Sequence, residues 1–161
     1  MKEVLDKLTS YNLFNYLLPG VIFSIIATEV TEYNFIQENI VTGAFLYYFI
    51  GMTISRIGSL VIEPILKKIG FILFADYKDY LSATKKDNKI EILSEANNTY
   101  RTFVSMILNL LALKGYNLLE LKWSWLKESQ PIIMPIILLI IFLLAYRKQT
   151  IYVTKRIKSN L

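Results

Sequence analysis

An apolar stretch runs from Ile40 to Ile62 and carries an arginine near its far end. Its length is sufficient to cross the hydrocarbon core of a bilayer. At 100° per residue, Gly51, Ser55 and Ser59 fall on one helix face, and small residues at this spacing allow membrane helices to approach closely. Because an ionisable group within a membrane has to face protein or water, Arg56 predicts that this helix belongs to a membrane assembly.

Composition extends this interpretation to the whole chain. The 161 residues are 54% hydrophobic, with a mean hydropathy of +0.41, values typical of a small polytopic membrane protein. We predict an all-α integral membrane domain over residues 1–161, with crossings at about 11–28, 40–62, 102–118 and 131–146. Pro19, Pro64 and Pro135 predict bends or breaks, because proline removes a backbone donor and clashes with the preceding turn. Pro131 is expected in the first turn of the last crossing, where proline is tolerated.

The distribution of basic residues predicts the orientation. The first loop has acidic residues and no lysine or arginine, whereas the segment at about 65–101 and the C-terminal tail are both basic. By the positive-inside rule, this segment and both termini are expected in the cytoplasm. Hydrophobic spacing predicts helical extensions within the segment, between the second and third crossings, and a short amphipathic entry at residues 1–10.

Several kinds of chemistry are excluded by composition. The chain has no histidine and no cysteine, which removes Cys/His zinc sites, thiol nucleophiles and histidine acid–base catalysis. Asp76 and Asp79 form an acidic pair with Ser82 close behind, but no base, metal set or nucleophile motif accompanies them. We therefore expect no enzyme, no cofactor and no metal site.

Polar residues on the predicted crossings are candidates for a pore or gate. Arg56 and Glu63 lie about 10 Å apart along one helix face and would form a gate, or else would lie at the interface, where arginine reaches lipid phosphates. Gly51, Ser55 and Ser59 are interpreted chiefly as a packing surface, within one chain or between chains. Asn12, Asn15 and Asn109 would form hydrogen bonds between helices or would line a pore. The full candidate set for the pore or gate is Asn12, Asn15, Tyr48, Ser55, Arg56, Ser59, Glu63 and Asn109.

Basic residues of the segment at 65–101 are candidates for binding an anionic ligand. The set comprises Lys78, Lys85, Lys86, Lys89 and Arg101. Tyrosines nearby would stack on the bases of a nucleotide or oligonucleotide. The alternative is that these cations fix the topology and contact lipid headgroups.

Three short segments resemble those of small bacterial membrane proteins encoded beside antiphage defence genes. They are LFNYLLPG at residues 13–20, SRIGS at 55–59 and NNTYR at 97–101. In size and plan the chain is similar to the four-helix channel effector of the Hailong system. The membrane subunit of the Kiwa system is the second family that it resembles. This resemblance implies a homo-oligomeric inner-membrane channel, controlled by a nucleotide-derived messenger, whose opening arrests the cell. A non-conducting scaffold or sensor that docks a soluble cytoplasmic partner is the alternative.

Overall fold

The computed structural model describes residues 10–159, which are helical almost throughout and contain no strand. Five helices follow one another in this part of the chain. They are α1 (residues 10–30), α2 (Ile40–Lys68), α3 (Tyr77–Thr84), α4 (Lys89–Lys122) and α5 (Ser124–Lys158). The amphipathic entry predicted for residues 1–10 lies outside the described residues, apart from Ser10 at the start of α1.

Four helices are long and apolar enough to cross a membrane, which confirms the all-α prediction with four candidate spans. They are Leu13–Val30, Ile40–Lys68, Lys89–Lys122 and Ser124–Lys158. The last two are longer than the crossings predicted from sequence. At 1.5 Å per residue, the 34 residues of α4 reach about 50 Å, which exceeds a hydrocarbon core of about 30 Å. A membrane crossing by α4 would therefore leave part of the helix outside that core.

Two prolines are accommodated by π-helical segments rather than by breaks. Leu13–Leu17 is π-helical just before Pro19, and Gly58–Ile62 is π-helical just before Pro64. A π turn is wider than an α turn, so it relieves the clash between a proline ring and the carbonyl four residues earlier. As a result, α1 and α2 continue past their prolines.

The last connection and the last helix differ from expectation. Trp123 alone separates α4 from α5, where the sequence favoured a longer connection before Pro131. Because α5 begins at Ser124, Pro131 and Pro135 both lie inside it rather than in its first turn. Helix α5 is also the least buried of the four candidate spans, since none of its residues is buried within the described chain.

Helices α1, α2 and α4 form the core. Its tightest point is the crossing of α1 and α2: a Cβ added at Gly20 would lie 1.8 Å from the backbone oxygen of Tyr47, and one at Gly51 would lie 1.8 Å from that of Tyr16. Only glycine allows this approach of two backbones. Apolar packing around the crossing is completed by a small buried cluster of Phe23, Ala27, Ile54, Met106 and Leu110.

The loop between α1 and α2 is fastened to the far end of the core. The Tyr33 hydroxyl donates a hydrogen bond to the Glu120 carboxylate of α4, and Lys114 Nζ donates to the Val30 carbonyl at 2.5 Å. Burial, together with the neighbouring Glu120 carboxylate, raises the pKa of Tyr33. The hydroxyl therefore stays protonated and remains a donor across the neutral pH range.

We expect Gly51→Ala to destabilise the protein strongly, because its methyl group would meet the Tyr16 carbonyl and force α1 and α2 apart. Overpacking of this kind costs about 1–3 kcal/mol, and the midpoint of thermal unfolding in detergent measures it. Gly115→Ala is the matched control, since a Cβ there meets nothing within 4 Å and alanine favours a helix by about 1 kcal/mol. Equal midpoints for both variants would show that the crossing is not close-packed.

Candidate functional site

A buried polar cluster joins the three core helices. Asn15 of α1, Ser55 of α2 and Thr102 of α4 are each 0% exposed. The Thr102 hydroxyl lies 2.8 Å from Asn15 Oδ1 and 3.1 Å from Ser55 Oγ, and Asn15 Nδ2 donates to Ser55 Oγ at 3.4 Å. Because unpaired polar groups are costly away from water, this cluster fixes the relative positions of the three helices.

The polar seam continues along α4 towards its C-terminal end. Ser105 Oγ donates to the Ile54 carbonyl of α2 at 2.8 Å, and Asn109 Nδ2 donates to the Ser105 carbonyl at 2.8 Å. Asn109 is half-buried and bonds within its own helix. These side chains are thus partnered within one chain, and the arrangement acts as structural support between helices.

A charge cluster centred on Glu63 lies immediately after the π segment of α2. This carboxylate is 7% exposed. Its oxygens lie 2.6 Å from Arg101 Nη1 of α4, 3.1 Å from Lys67 Nζ of α2 and 3.8 Å from Lys148 Nζ of α5. Lys148 also donates to the Ser59 carbonyl at 2.6 Å and to its hydroxyl at 2.7 Å. One carboxylate therefore connects three helices.

Positive charge exceeds negative charge in this region. Arg56 lies on the same side of α2 and donates through Nη2 to the Tyr16 hydroxyl at 3.1 Å. The charge cluster therefore contains four cations, namely Arg56, Lys67, Arg101 and Lys148, and one carboxylate, that of Glu63. Its net charge is +3. The buried Nε atoms of Arg56 and Arg101 have no hydrogen-bond partner among residues 10–159. The cluster is therefore suited to hold a further anion.

Two cavities are lined by basic side chains, and only the first of them contacts the charge cluster. The smaller, about 40 Å³, lies between α2 and α5, and its polar lining comes from Arg56, Ser59, Lys148, Gln149 and Tyr152. The larger, about 270 Å³, lies between α3 and the C-terminal end of α5. Among the described residues its lining contains no carboxylate, and it consists of Lys78, Leu81, Ser82, Lys85, Lys158 and Ser159. We call these the inner cavity and the basic pocket.

The predicted pore residues fall into two groups in the structure. Four are buried between helices of one chain: Asn15, Ser55, Ser59 and Glu63. The others are half-buried: Asn12, Tyr48, Arg56 and Asn109. Tyr48 packs edge-on against Tyr16 with ring centroids 5.5 Å apart, which places it beside the partner of Arg56.

The face carrying Gly51, Ser55 and Ser59 contacts a different set of helices at each position. Gly51 lies against α1 at Tyr16, Ser55 bonds to Asn15 and Thr102, and Ser59 accepts from Lys148 of α5. Here the small residues pack within a single chain.

The predicted ligand-binding residues do not form one site in the structure. Lys78 and Lys85 line the basic pocket, whereas its described lining does not include Lys86 or Lys89. Arg101 instead bonds to Glu63 in the charge cluster. The sequence did not single out Lys148 or Lys158, because both belong to a basic tail whose residues are interpreted only as a group.

Comparison with protein-family models, with curated proteins and with solved structures finds no match to this chain. Residues 10–159 also contain no group of acidic, histidine or cysteine side chains arranged to hold a metal ion.

Thr102→Val should destabilise the protein by about 1 kcal/mol or more, because it keeps the shape of the side chain but leaves Asn15 and Ser55 without their shared hydroxyl. Thr102→Ser retains the hydroxyl and is the matched control. Thermal unfolding in detergent compares the two. If valine were tolerated as well as serine, the buried polar cluster would not support the fold.

Glu63→Gln should lower the free energy of unfolding by about 3 kcal/mol, because it leaves Arg101, Lys67 and Lys148 without their common carboxylate. Glu95→Gln, an exposed change on α4, removes the same charge away from the cluster and should shift the unfolding midpoint little. The expected loss should be greatest at low salt, because added ions screen the repulsion among the uncovered cations. A stability equal to that of the Glu95 variant would contradict the central role of Glu63.

Proposed function

We propose that this chain is a homo-oligomeric membrane effector, a channel or a membrane-disrupting protein, controlled by an anionic nucleotide or oligonucleotide. In this proposal it lies in a bacterial inner membrane with both termini in the cytoplasm and acts in antiphage defence. The observation that carries the proposal is the basic pocket, because it joins the segment between two membrane helices to the end of α5, the least buried of the four candidate spans.

The chemistry of the basic pocket favours a phosphate-bearing ligand. Lys78 and Lys158 provide cations, and Ser82 and Ser159 lie among them. Ammonium groups and hydroxyls are typical donors to phosphate oxygens. A volume of about 270 Å³ is comparable to small ligand sites, which begin at about 300 Å³. Phosphates of a nucleotide therefore suit this pocket in both charge and size.

Helix α5 is suited to respond to such a ligand. None of its described residues is buried. Its contacts with the core include the stacking of Phe142 on Phe49 with centroids 5.8 Å apart, the hydrogen bond from Tyr116 to the Leu126 carbonyl at 3.1 Å and the bonds from Lys148 to Ser59. A ligand that bridges α3 and α5 favours whichever position of α5 closes the pocket around it. Ligand binding in the pocket would thereby change the position of a helix that crosses the membrane.

A conducting path is best placed between chains. Asn15, Ser55 and Thr102 are hydrogen-bonded to one another inside one chain, so they would have to break these hydrogen bonds to line a pore. The half-buried Tyr48 and Arg56 are closer to the outer surface of the core and are better candidates for a lining formed on assembly. The resemblance to four-helix antiphage effectors supports self-association and this role.

A second function is favoured by a different observation. Between α2 and α3 the chain has no regular secondary structure and carries exposed apolar side chains, with Phe71 76% and Leu73 91% exposed. Such a patch next to a membrane helix suits the docking of a soluble cytoplasmic protein. A non-conducting scaffold or sensor would use this segment and would need no current through the membrane.

We expect purified protein in a planar bilayer to pass current in response to short oligonucleotides. Lys78→Gln should raise the oligonucleotide concentration for half-maximal response about tenfold, because it removes one charged contact of the basic pocket. Lys86→Gln is the matched control, since it removes the same charge from the same segment outside the described pocket lining. The readout is current against ligand concentration at fixed salt.

Silence of the bilayer under every ligand condition would overturn the channel proposal. Retrieval of a defined cytoplasmic protein that is lost in Leu73→Asp would then support the scaffold. Equal effects of Lys78→Gln and Lys86→Gln on a measured current would retain the channel and reject the basic pocket as its control site.

A further inference from the structure

We infer that the inner cavity between α2 and α5 is a binding site for a single phosphate group, carried either by an anionic lipid headgroup or by a soluble phosphate ester. This inference concerns a different cavity from the basic pocket and does not depend on the proposed function. It is drawn from the unused donors, the net charge, the size of the cavity and its depth in the membrane.

Both cations that line the inner cavity have donors to spare. The Lys148 ammonium has three N–H groups; two bonds go to Ser59, and Glu63 is 3.8 Å away, beyond hydrogen-bonding distance. The Arg56 guanidinium has five N–H groups, and within residues 10–159 its one hydrogen bond goes to Tyr16. Gln149 and Tyr152 add an amide and a hydroxyl to the lining. These donors converge on one space.

The charges around the inner cavity are not balanced by the protein. Glu63 is shared among Lys67, Arg101 and Lys148, and Arg56 has no carboxylate within ion-pair distance in the described chain. Like charges held close together in a partly dehydrated site repel one another strongly. One bound phosphate would offset this repulsion and would satisfy donors from two helices at once.

Size and position define the kind of ligand. About 40 Å³ exceeds the 10–15 Å³ that one water needs, but it does not accommodate a nucleoside, so a phosphate group enters with the rest of its molecule outside. Arg147 and Lys148 are the first charged residues after the apolar run that follows Pro131. Their position corresponds to the edge of the hydrocarbon, where basic pockets between membrane helices bind anionic headgroups.

The test measures binding and stability together on the full-length protein in neutral detergent. Phosphatidylglycerol, dioleoylglycerol and glycerol 1-phosphate are added separately, and native mass spectrometry counts bound molecules while thermal unfolding is followed. Dioleoylglycerol is the control without a phosphate. We expect phosphatidylglycerol to bind and raise the unfolding midpoint, and dioleoylglycerol to do neither. Protection by glycerol 1-phosphate as well would assign the site to the phosphate group itself, and protection by the lipid alone would assign it to a headgroup.

Gln149→Glu places a carboxylate in the inner cavity, where it would pair with Lys148 and Arg56 in place of the ligand. The affinity for phosphatidylglycerol should fall about tenfold or more, while the lipid-free protein keeps its stability. Thr150→Glu adds the same charge to the neighbouring exposed position and should leave lipid binding unchanged. Equal binding by the wild type and the Gln149 variant, or equal protection by phosphatidylglycerol and dioleoylglycerol, would overturn the inference.

Discussion

The close crossing of α1 and α2 at Gly20 and Gly51 is the contact on which the other features depend. With side chains at either position the backbones could not meet, and Asn15 could not reach Ser55. Helix α4 then completes the buried polar cluster through Thr102. In a membrane the hydrophobic effect does not drive helices together, so close packing and hydrogen bonds of this kind have to hold the core.

The charge cluster has a different physical character from the polar cluster. The hydroxyls and amide at Asn15, Ser55 and Thr102 are partnered inside the chain, which favours one fixed arrangement. Around Glu63 the cations outnumber the carboxylates, and donors remain unused. An imbalance of charge where helices meet is expected to bind ions and to vary with its surroundings, so the proposed ligand chemistry concentrates at this end of the molecule.

The fold was more predictable than the candidate site. Long apolar runs between charged segments indicate membrane helices because their length must match the bilayer, and the four spans were predicted on that ground. Helix ends were less predictable. A helical extension before the third crossing was expected from hydrophobic spacing, but α5 begins at Ser124 and continues to Lys158, well beyond the crossing expected at 131–146. The pairing of Arg101 with Glu63 bridges 38 positions of sequence, and no local pattern indicates which of several cations a buried carboxylate will select.

The sequence by itself determined the class of the protein, its four candidate spans and the small-residue face of α2, because each depends on local composition and helical period. Only the tertiary structure decided what that face contacts: Gly51 meets α1, Ser55 meets both α1 and α4, and Ser59 meets Lys148 of α5. It likewise brought Lys158 beside Lys78, two residues 80 positions apart. Partners at such separations are selected by three-dimensional packing, which the periodicity of a single helix does not encode.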